Sequence, residues 1–150
     1  MVRRWLCSGH GKSIFVKGGW DSGDVNTDYV VNLLAGMQGK ENDGKISLYE
    51  PLITAYKAYL SGGGKGEMPL TDTLVSAAAQ NTKTAVVTIS RNSGEGSDRT
   101  AAKGDYYLSD DEVSMLNKVT SAGFKKVAVV LNIGGVIDTS WIRNYPGSPS

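Results

Sequence analysis

The stretch KTAVVTIS at residues 83–90 is a run of β-branched and apolar residues that ends in a polar, glycine-containing loop. A second stretch of the same kind, KKVAVVLN at residues 125–132, ends in Ile133-Gly134-Gly135. Continuous apolar runs without alternation are typical of strands that are covered on both faces of a parallel sheet. We therefore predict two buried parallel strands.

A helix is predicted between these two strands. Ser109 is a suitable N-cap, and Glu112, three residues later, completes a capping box. Apolar residues then recur at helical spacing until Gly123, which is the predicted C-cap. Strand, helix and strand in this order form a βαβ unit, for which we expect a right-handed crossover.

The first half of the chain shows weaker versions of the same elements. Helical spacing predicts helices over residues 28–38, 52–60 and 71–80, the first capped by Asn26 or Thr27 and the last begun by Thr71 or Asp72. A short strand is predicted over residues 45–49, whereas Trp5-Leu6-Cys7 is too short for a strand prediction.

Alternating helices and strands indicate an α/β fold, a three-layer αβα sandwich with a mostly parallel sheet. Ligands of such sheets bind at the carboxyl ends of the strands. The loops after Ile89 and after Leu131 are therefore the expected site.

Composition narrows the class of protein. The chain has 150 residues, which suits one domain, and a net charge of +1 with no basic stripe, so we expect no nucleic-acid partner. It has one cysteine and one histidine, which argues against a disulfide or a metal site. The longest apolar runs are too short to cross a bilayer, and no signal peptide is visible. We expect a cytoplasmic protein that contacts no membrane.

The loop SRNSGEGSDR at residues 90–99 follows the first strong strand and places Glu95 between two glycines. A carboxylate in this setting is accessible, and at the carboxyl end of a strand it is a candidate for acid/base chemistry. A glutamate that is merely solvated is the commoner case in glycine loops, so the pattern alone leaves both interpretations open.

Several ordered motifs together resemble the second, α/β-sandwich domain of glycoside hydrolase family 3, the retaining β-glucosidases and their relatives. The matching motifs are VKGGWDSGDV (16–25), VNLLAGM (31–37), VVTISRNSGEGSDR (86–99), KGDYYLSDDE (103–112) and VVLNIG (129–134). The resemblance covers residues 14–142. It leaves residues 1–13 as a poorly matching segment and residues 143–150 as a tail.

The resemblance implies a role for five residues. Glu95 takes the position of the general acid/base, and Ser22 that of a serine that touches the bound sugar. Asp98, Arg99 and Asp105 are expected to order the loop, where an ion pair at Asp98 and Arg99 would fix its conformation. The resemblance implies no metal and no organic cofactor.

The family's nucleophile is an aspartate on a separate (β/α)8 barrel, a fold of typically ~250 residues that a chain of 150 residues cannot contain. We therefore expect a fragment of a β-glycosidase, inactive without its barrel partner. A non-catalytic module that binds a sugar or another small molecule is the alternative. A purely structural fragment is a third possibility, and the preferred sugar and the order of the two domains stay open.

Overall fold

A parallel sheet organises the fold, with the strand that follows Lys83 at its centre. The computed structural model describes residues 3–7, 32–91 and 98–145, the first of these segments by its backbone alone. The strands among these residues are β1 (Arg3–Cys7), β2 (Thr84–Arg91) and β3 (Lys126–Ile133), in the spatial order β1-β2-β3. Both pairings are parallel, as predicted, and β2 is hydrogen-bonded on both sides.

Helices make the connections between the strands. The described residues form α1 (Leu33–Asn42), α2 (Glu50–Ser61), α3 (Asp72–Asn81), α4 (Asp110–Ser121) and a 3-10 helix (Ser140–Asn144). Three of them lie in sequence between β1 and β2, and α4 lies between β2 and β3. Parallel strands require such crossover connections because a tight turn cannot join them.

The larger part of the core lies against one face of β2. Ala85, Val87 and Ile89 alternate along this strand and are at most 1% exposed. They belong to a cluster with side chains from α2, α3 and α4, namely Leu52, Tyr56, Val75, Met115, Leu116 and Val119. Val86 lies on the other face of β2 and packs against a smaller cluster of Leu34, Leu48 and Ile53. Because α1 contributes Leu34, both faces of β2 have helical cover, which gives the predicted αβα layering.

The capping box predicted for α4 is confirmed. Ser109 Oγ accepts a hydrogen bond from the Glu112 N–H (3.1 Å), and Glu112 Oε2 accepts one from the Ser109 N–H (2.8 Å). The C-cap is Ala122 rather than the predicted Gly123, which follows it with a φ of +88°. Glycine is favoured there because other residues rarely adopt this left-handed conformation.

Three local predictions in the first half are wrong. The cap of the first helix is Asn32, whose side chain accepts from the Ala35 N–H (2.8 Å), while Asn26 and Thr27 lie outside the described residues. Residues 45–49 form no strand, because the Leu48 N–H donates to the Glu41 carboxylate (2.6 Å) and its side chain is buried in the smaller cluster. Residues 5–7 do belong to a strand, β1.

The expectation that both predicted strands are covered on both faces holds for β2 but fails for β3. Val129, Val130 and Leu131 are 37%, 38% and 39% exposed, although they are paired with β2. The difference follows from position, because β3 is at the edge of the described sheet. An apolar run therefore predicted the strand correctly and its burial incorrectly.

Candidate functional site

The predicted site surrounds the segment 92–97, which begins where β2 ends. Glu95 lies in this segment, and both Glu95 and Ser22 fall outside the described residues. The residues that bound the segment, Arg91 before it and Asp98 and Arg99 after it, are described. Since β2 is the middle strand and ligands of parallel sheets bind at the carboxyl ends of strands, the segment leaves the sheet at the expected place.

Arg91, the last residue of β2, is a buried arginine whose donors are all used. Its Nε donates to the Asp105 carbonyl (2.9 Å), Nη1 to the Ser90 carbonyl (2.8 Å) and Nη2 to the Tyr107 carbonyl (3.4 Å). Nη1 and Nη2 also donate to the two oxygens of Glu112 (2.6 and 2.7 Å). These bonds account for the five N–H groups of a guanidinium.

Glu112 has two functions in the same place. Its carboxylate is the buried counter-ion of Arg91, with the two side chains 7% and 5% exposed, respectively. Its Oε2 also accepts the capping hydrogen bond from the Ser109 N–H at the start of α4. Removing one partner of a buried ion pair leaves an uncompensated charge and typically costs about 3–5 kcal/mol of stability. The end of β2 is therefore fastened to the first turn of α4.

Arg99 holds the other end of the segment. Its Nη1 forms an ion pair with Asp105 Oδ1 (2.8 Å), and its Nη2 donates to the Gly134 carbonyl. The second oxygen of Asp105 accepts from the Thr100 N–H (2.7 Å) and hydroxyl (2.8 Å). These hydrogen bonds, those of Arg99 foremost, lower the pKa of Asp105 from 3.8 to about 2. Asp105 is thus a charged acceptor over the ordinary pH range.

Both ends of the segment 92–97 converge on the same two residues. Asp105 accepts from Arg91 through its carbonyl and from Arg99 through its carboxylate. Gly134, which follows β3, donates its N–H to the Arg91 carbonyl (3.0 Å) and accepts from Arg99. We call Arg91, Arg99, Asp105 and Gly134 the loop frame. The frame fixes the positions at which the segment starts and ends relative to the sheet.

Comparison with known proteins identifies the family. Residues 6–148 match the model of the glycosyl hydrolase family 3 C-terminal domain. The chain belongs to this family. A family 3 domain of this kind accounts for the α/β fold and for the ordered motifs that surround the loop frame.

The relatives of this family 3 domain are much longer proteins. It is 34% identical to a β-glucosidase A of Butyrivibrio fibrisolvens, an alignment that covers 89% of this chain and 20% of that protein. It is also 34% identical to a β-glucosidase of Ruminococcus albus, with 87% of this chain and 15% of that protein covered. The chain therefore spans a fifth or less of the curated relatives it matches.

Solved structures show the same relationship for the family 3 domain. A β-glucosidase from Paenibacillus barengoltzii superposes with a TM-score of 0.74 at 36% identity, covering 85% of this chain and 15% of that one. β-Glucosidase 3B from Thermotoga neapolitana, solved in complex with glucose, gives a TM-score of 0.77 at 31% identity. The latter match covers 95% of this chain and 22% of that one.

The structure brings together some of the site residues predicted for the family 3 domain. Arg99 and Asp105 form an ion pair, whereas Asp98 is exposed and lies outside the loop frame. Sequence reasoning missed Arg91 and Gly134 as members of the frame and Glu112 as the partner of Arg91. A charged residue at the end of an otherwise apolar strand was the available signal for Arg91.

A second buried acid of the family 3 domain lies close to this network. Glu67 is 5% exposed, and its Oε1 accepts a hydrogen bond from the Tyr56 hydroxyl. Burial, assisted by the negative charge of Glu112, raises the pKa of Glu67 from 4.5 to about 8. Glu67 is therefore protonated at neutral pH and leaves the charge balance of Arg91 and Glu112 undisturbed.

The described part of the family 3 domain contains neither a candidate metal site nor a membrane-spanning helix. Residues 32–91 and 98–145 contain no group of three or more His, Cys, Asp and Glu side chains that could hold a metal ion. Among the helices described, none is both long and apolar enough to span a membrane.

Proposed function

We propose that this domain supplies Glu95 as the general acid/base of a retaining β-glycosidase, with a β-glucoside as substrate. The observation that carries the proposal is the loop frame, which holds both ends of the segment containing Glu95 at the carboxyl end of the central strand. Membership of a family whose relatives are named β-glucosidases supports the same role.

A segment whose two flanking residues are anchored suits this chemistry. In a retaining mechanism the acid protonates the leaving glycosidic oxygen, and the same residue then takes a proton from the attacking water. The acid and the nucleophile must stay about 5–5.5 Å apart through both steps. A glutamate on a segment with anchored ends meets this requirement better than one on a freely moving loop, since small displacements of a catalytic group are costly.

The second carboxylate has to come from another domain. We propose that a (β/α)8 barrel carries the nucleophile and that this domain hydrolyses no glycoside without it. The lengths of the relatives, of which the chain covers 15–22%, leave ample room for such a barrel. Ser22 is proposed to contact the bound sugar from the glycine-rich segment near the start of the domain.

The test uses a chimera in which residues 6–148 replace the matching segment of the Thermotoga neapolitana β-glucosidase. In this chimera Glu95→Gln is compared with Glu50→Gln, an exposed glutamate in the first turn of α2. The substrates are dinitrophenyl β-glucoside, whose leaving group needs no proton, and cellobiose, whose leaving group does. We expect Glu95→Gln to lower kcat/KM for cellobiose by about 10²–10⁴-fold, with a much smaller loss for the dinitrophenyl substrate.

Three results would count against the proposal. One is a Glu95→Gln chimera that hydrolyses both substrates as fast as the Glu50→Gln control. Another is an unsubstituted chimera that is folded by circular dichroism and hydrolyses neither substrate. The third is binding of glucose by the isolated chain, measured by calorimetry, that Glu95→Gln leaves unchanged, because a non-catalytic binding module predicts it.

A further inference from the structure

We infer that Arg91 and Glu112 form a positioning pair for the acid/base loop, a role that rests on the proposed function of Glu95. In this role neither residue touches the substrate. The pair affects the segment 92–97 through the backbone, because Arg91 immediately precedes the segment and its carbonyl accepts the hydrogen bond from the Gly134 N–H.

The pair connects the residue at the start of the segment to a helix that is packed in the core. Glu112 lies in the first turn of α4, the helix whose Met115, Leu116 and Val119 are at most 2% exposed. The Arg91 side chain makes two hydrogen bonds to this carboxylate and three to backbone carbonyls, so moving it breaks several buried hydrogen bonds at once. Functional groups are held most accurately when packed elements support them in this way.

In the sequence, Glu95 is midway between the two arginines of the loop frame. It is four residues from Arg91 and four from Arg99, so displacement of either end reaches it through the same length of chain. The Arg99 end depends on Asp105, which is 34% exposed, whereas the Arg91 end depends on Glu112, which is 7% exposed. We therefore assign the greater part of the positioning to the buried pair.

The geometry requires an arginine at position 91. A lysine has three donors on one atom, and these cannot serve five acceptors that surround a planar fork. Arg91→Lys keeps the positive charge but lacks the planar set of five donors. Its effect on the loop should therefore be almost as large as that of Arg91→Met. A pair that merely neutralised charge would instead be rescued by lysine.

The first measurement uses the chain itself and does not depend on catalysis. Amide exchange is followed by NMR at Gly134, whose N–H group donates to the Arg91 carbonyl, and is expressed relative to Ile89 in the centre of β2. In Glu112→Gln we expect this relative rate to rise by about tenfold or more. Ile53→Ala, which removes a buried side chain from the smaller cluster, is the matched destabilised control and should leave the ratio unchanged.

The second measurement places the same variants in the chimera. We expect Glu112→Gln, Arg91→Lys and Arg91→Met to lower kcat/KM for cellobiose about 10–100-fold and that for dinitrophenyl β-glucoside less than about threefold. Ile53→Ala should change both substrates by the same factor, because loss of folded protein does not depend on the leaving group.

The outcomes separate the positioning role from the proposed function. An equal loss on both substrates in Glu112→Gln, or an unchanged exchange ratio in the chain, overturns the positioning role while leaving the role of Glu95 intact. Full activity in Arg91→Lys also contradicts it. If Glu95→Gln itself shows no dependence on the leaving group, the proposed function has failed, whatever the exchange data show.

Discussion

The backbone N–H of Gly134 donates to the carbonyl of Arg91 at 3.0 Å, one residue beyond the last register pair of β2 and β3, Arg91 with Ile133. This bond extends the ladder past the end of the sheet and joins the loop after β3 to the loop that contains Glu95. The last residue of β2 and the first residue after β3 are thus hydrogen-bonded to each other.

The turn that presents Gly134 depends on its neighbour. Gly135 has a φ of +83°, so Gly135→Ala should destabilise the chain by about 1–2 kcal/mol. Gly39 lies inside α1, where an added β-carbon would meet no atom within 4 Å, so Gly39→Ala should stabilise the chain by about 0.5–1 kcal/mol. Urea unfolding measures both. A Gly135→Ala chain as stable as the wild type would show that the conformation at Gly135 does not control stability.

Glu67 should make stability fall as the pH rises. Because the pKa is 4.5 in the unfolded chain and about 8 in the folded one, the folded state binds the extra proton between these values. The stabilisation is complete below pH 4.5 and is lost as the pH rises through about 8, by an amount on the order of a few kcal/mol.

The check is the free energy of unfolding of wild type and Glu67→Gln between pH 5 and 9. The difference between the two proteins should change steadily across this range, since glutamine does not titrate. Glu50→Gln, at an exposed position, is the control and should run parallel to the wild type. Parallel curves for Glu67→Gln would contradict a protonated buried carboxyl.

Asp105 should titrate in the opposite direction. Its folded pKa, about 2, lies below the usual 3.8, so its contribution to stability is present above pH 3.8 and is lost as the pH falls through about 2. The Thr100 amide, which donates to Asp105 at 2.7 Å, reports the titration by NMR. Its midpoint should lie near pH 2 in the wild type and move upward in Arg99→Gln. A wild-type midpoint near 3.8 would show that the ion pair is not formed in solution.

Two residues that face each other in the register should differ in their cost of truncation. Ile89 is 0% exposed and Leu131, its partner on β3, is 39% exposed. Ile89→Ala should therefore destabilise the chain by about 3–5 kcal/mol and Leu131→Ala by about 1 kcal/mol, as measured by urea unfolding. Equal costs would mean that β3 is covered in solution.

Much of the fold could be predicted from local patterns. The apolar run that contains Val87 and Ile89 identified β2, and Ser109 with Glu112 identified the start of α4. Both features depend on residues that are close in sequence, so they can be recognised from a short stretch. The predicted strand over 45–49 failed because Ile46 and Leu48 alternate for another reason, packing against α1 and α2 from an irregular segment.

The loop frame could not be predicted in the same way. Arg91 and Glu112 are 21 residues apart, and Arg99 and Gly134 are 35 apart, so only the folded sheet brings them together. The pattern showed Glu112 as a capping residue and gave no sign of its second partner. The resemblance located the segment around Glu95, whereas the physical support of that segment became visible only in three dimensions.

The exposure of β3 has a practical consequence for work with this chain. One side of the strand pairs with β2, and no strand among the described residues pairs with the other side, which presents backbone donors and acceptors beside Val129, Val130 and Leu131. Unpaired apolar edges of this kind are templates for strand addition between molecules. Concentration-dependent self-association is therefore expected in stock solutions of the isolated chain, and Val130→Lys should reduce it.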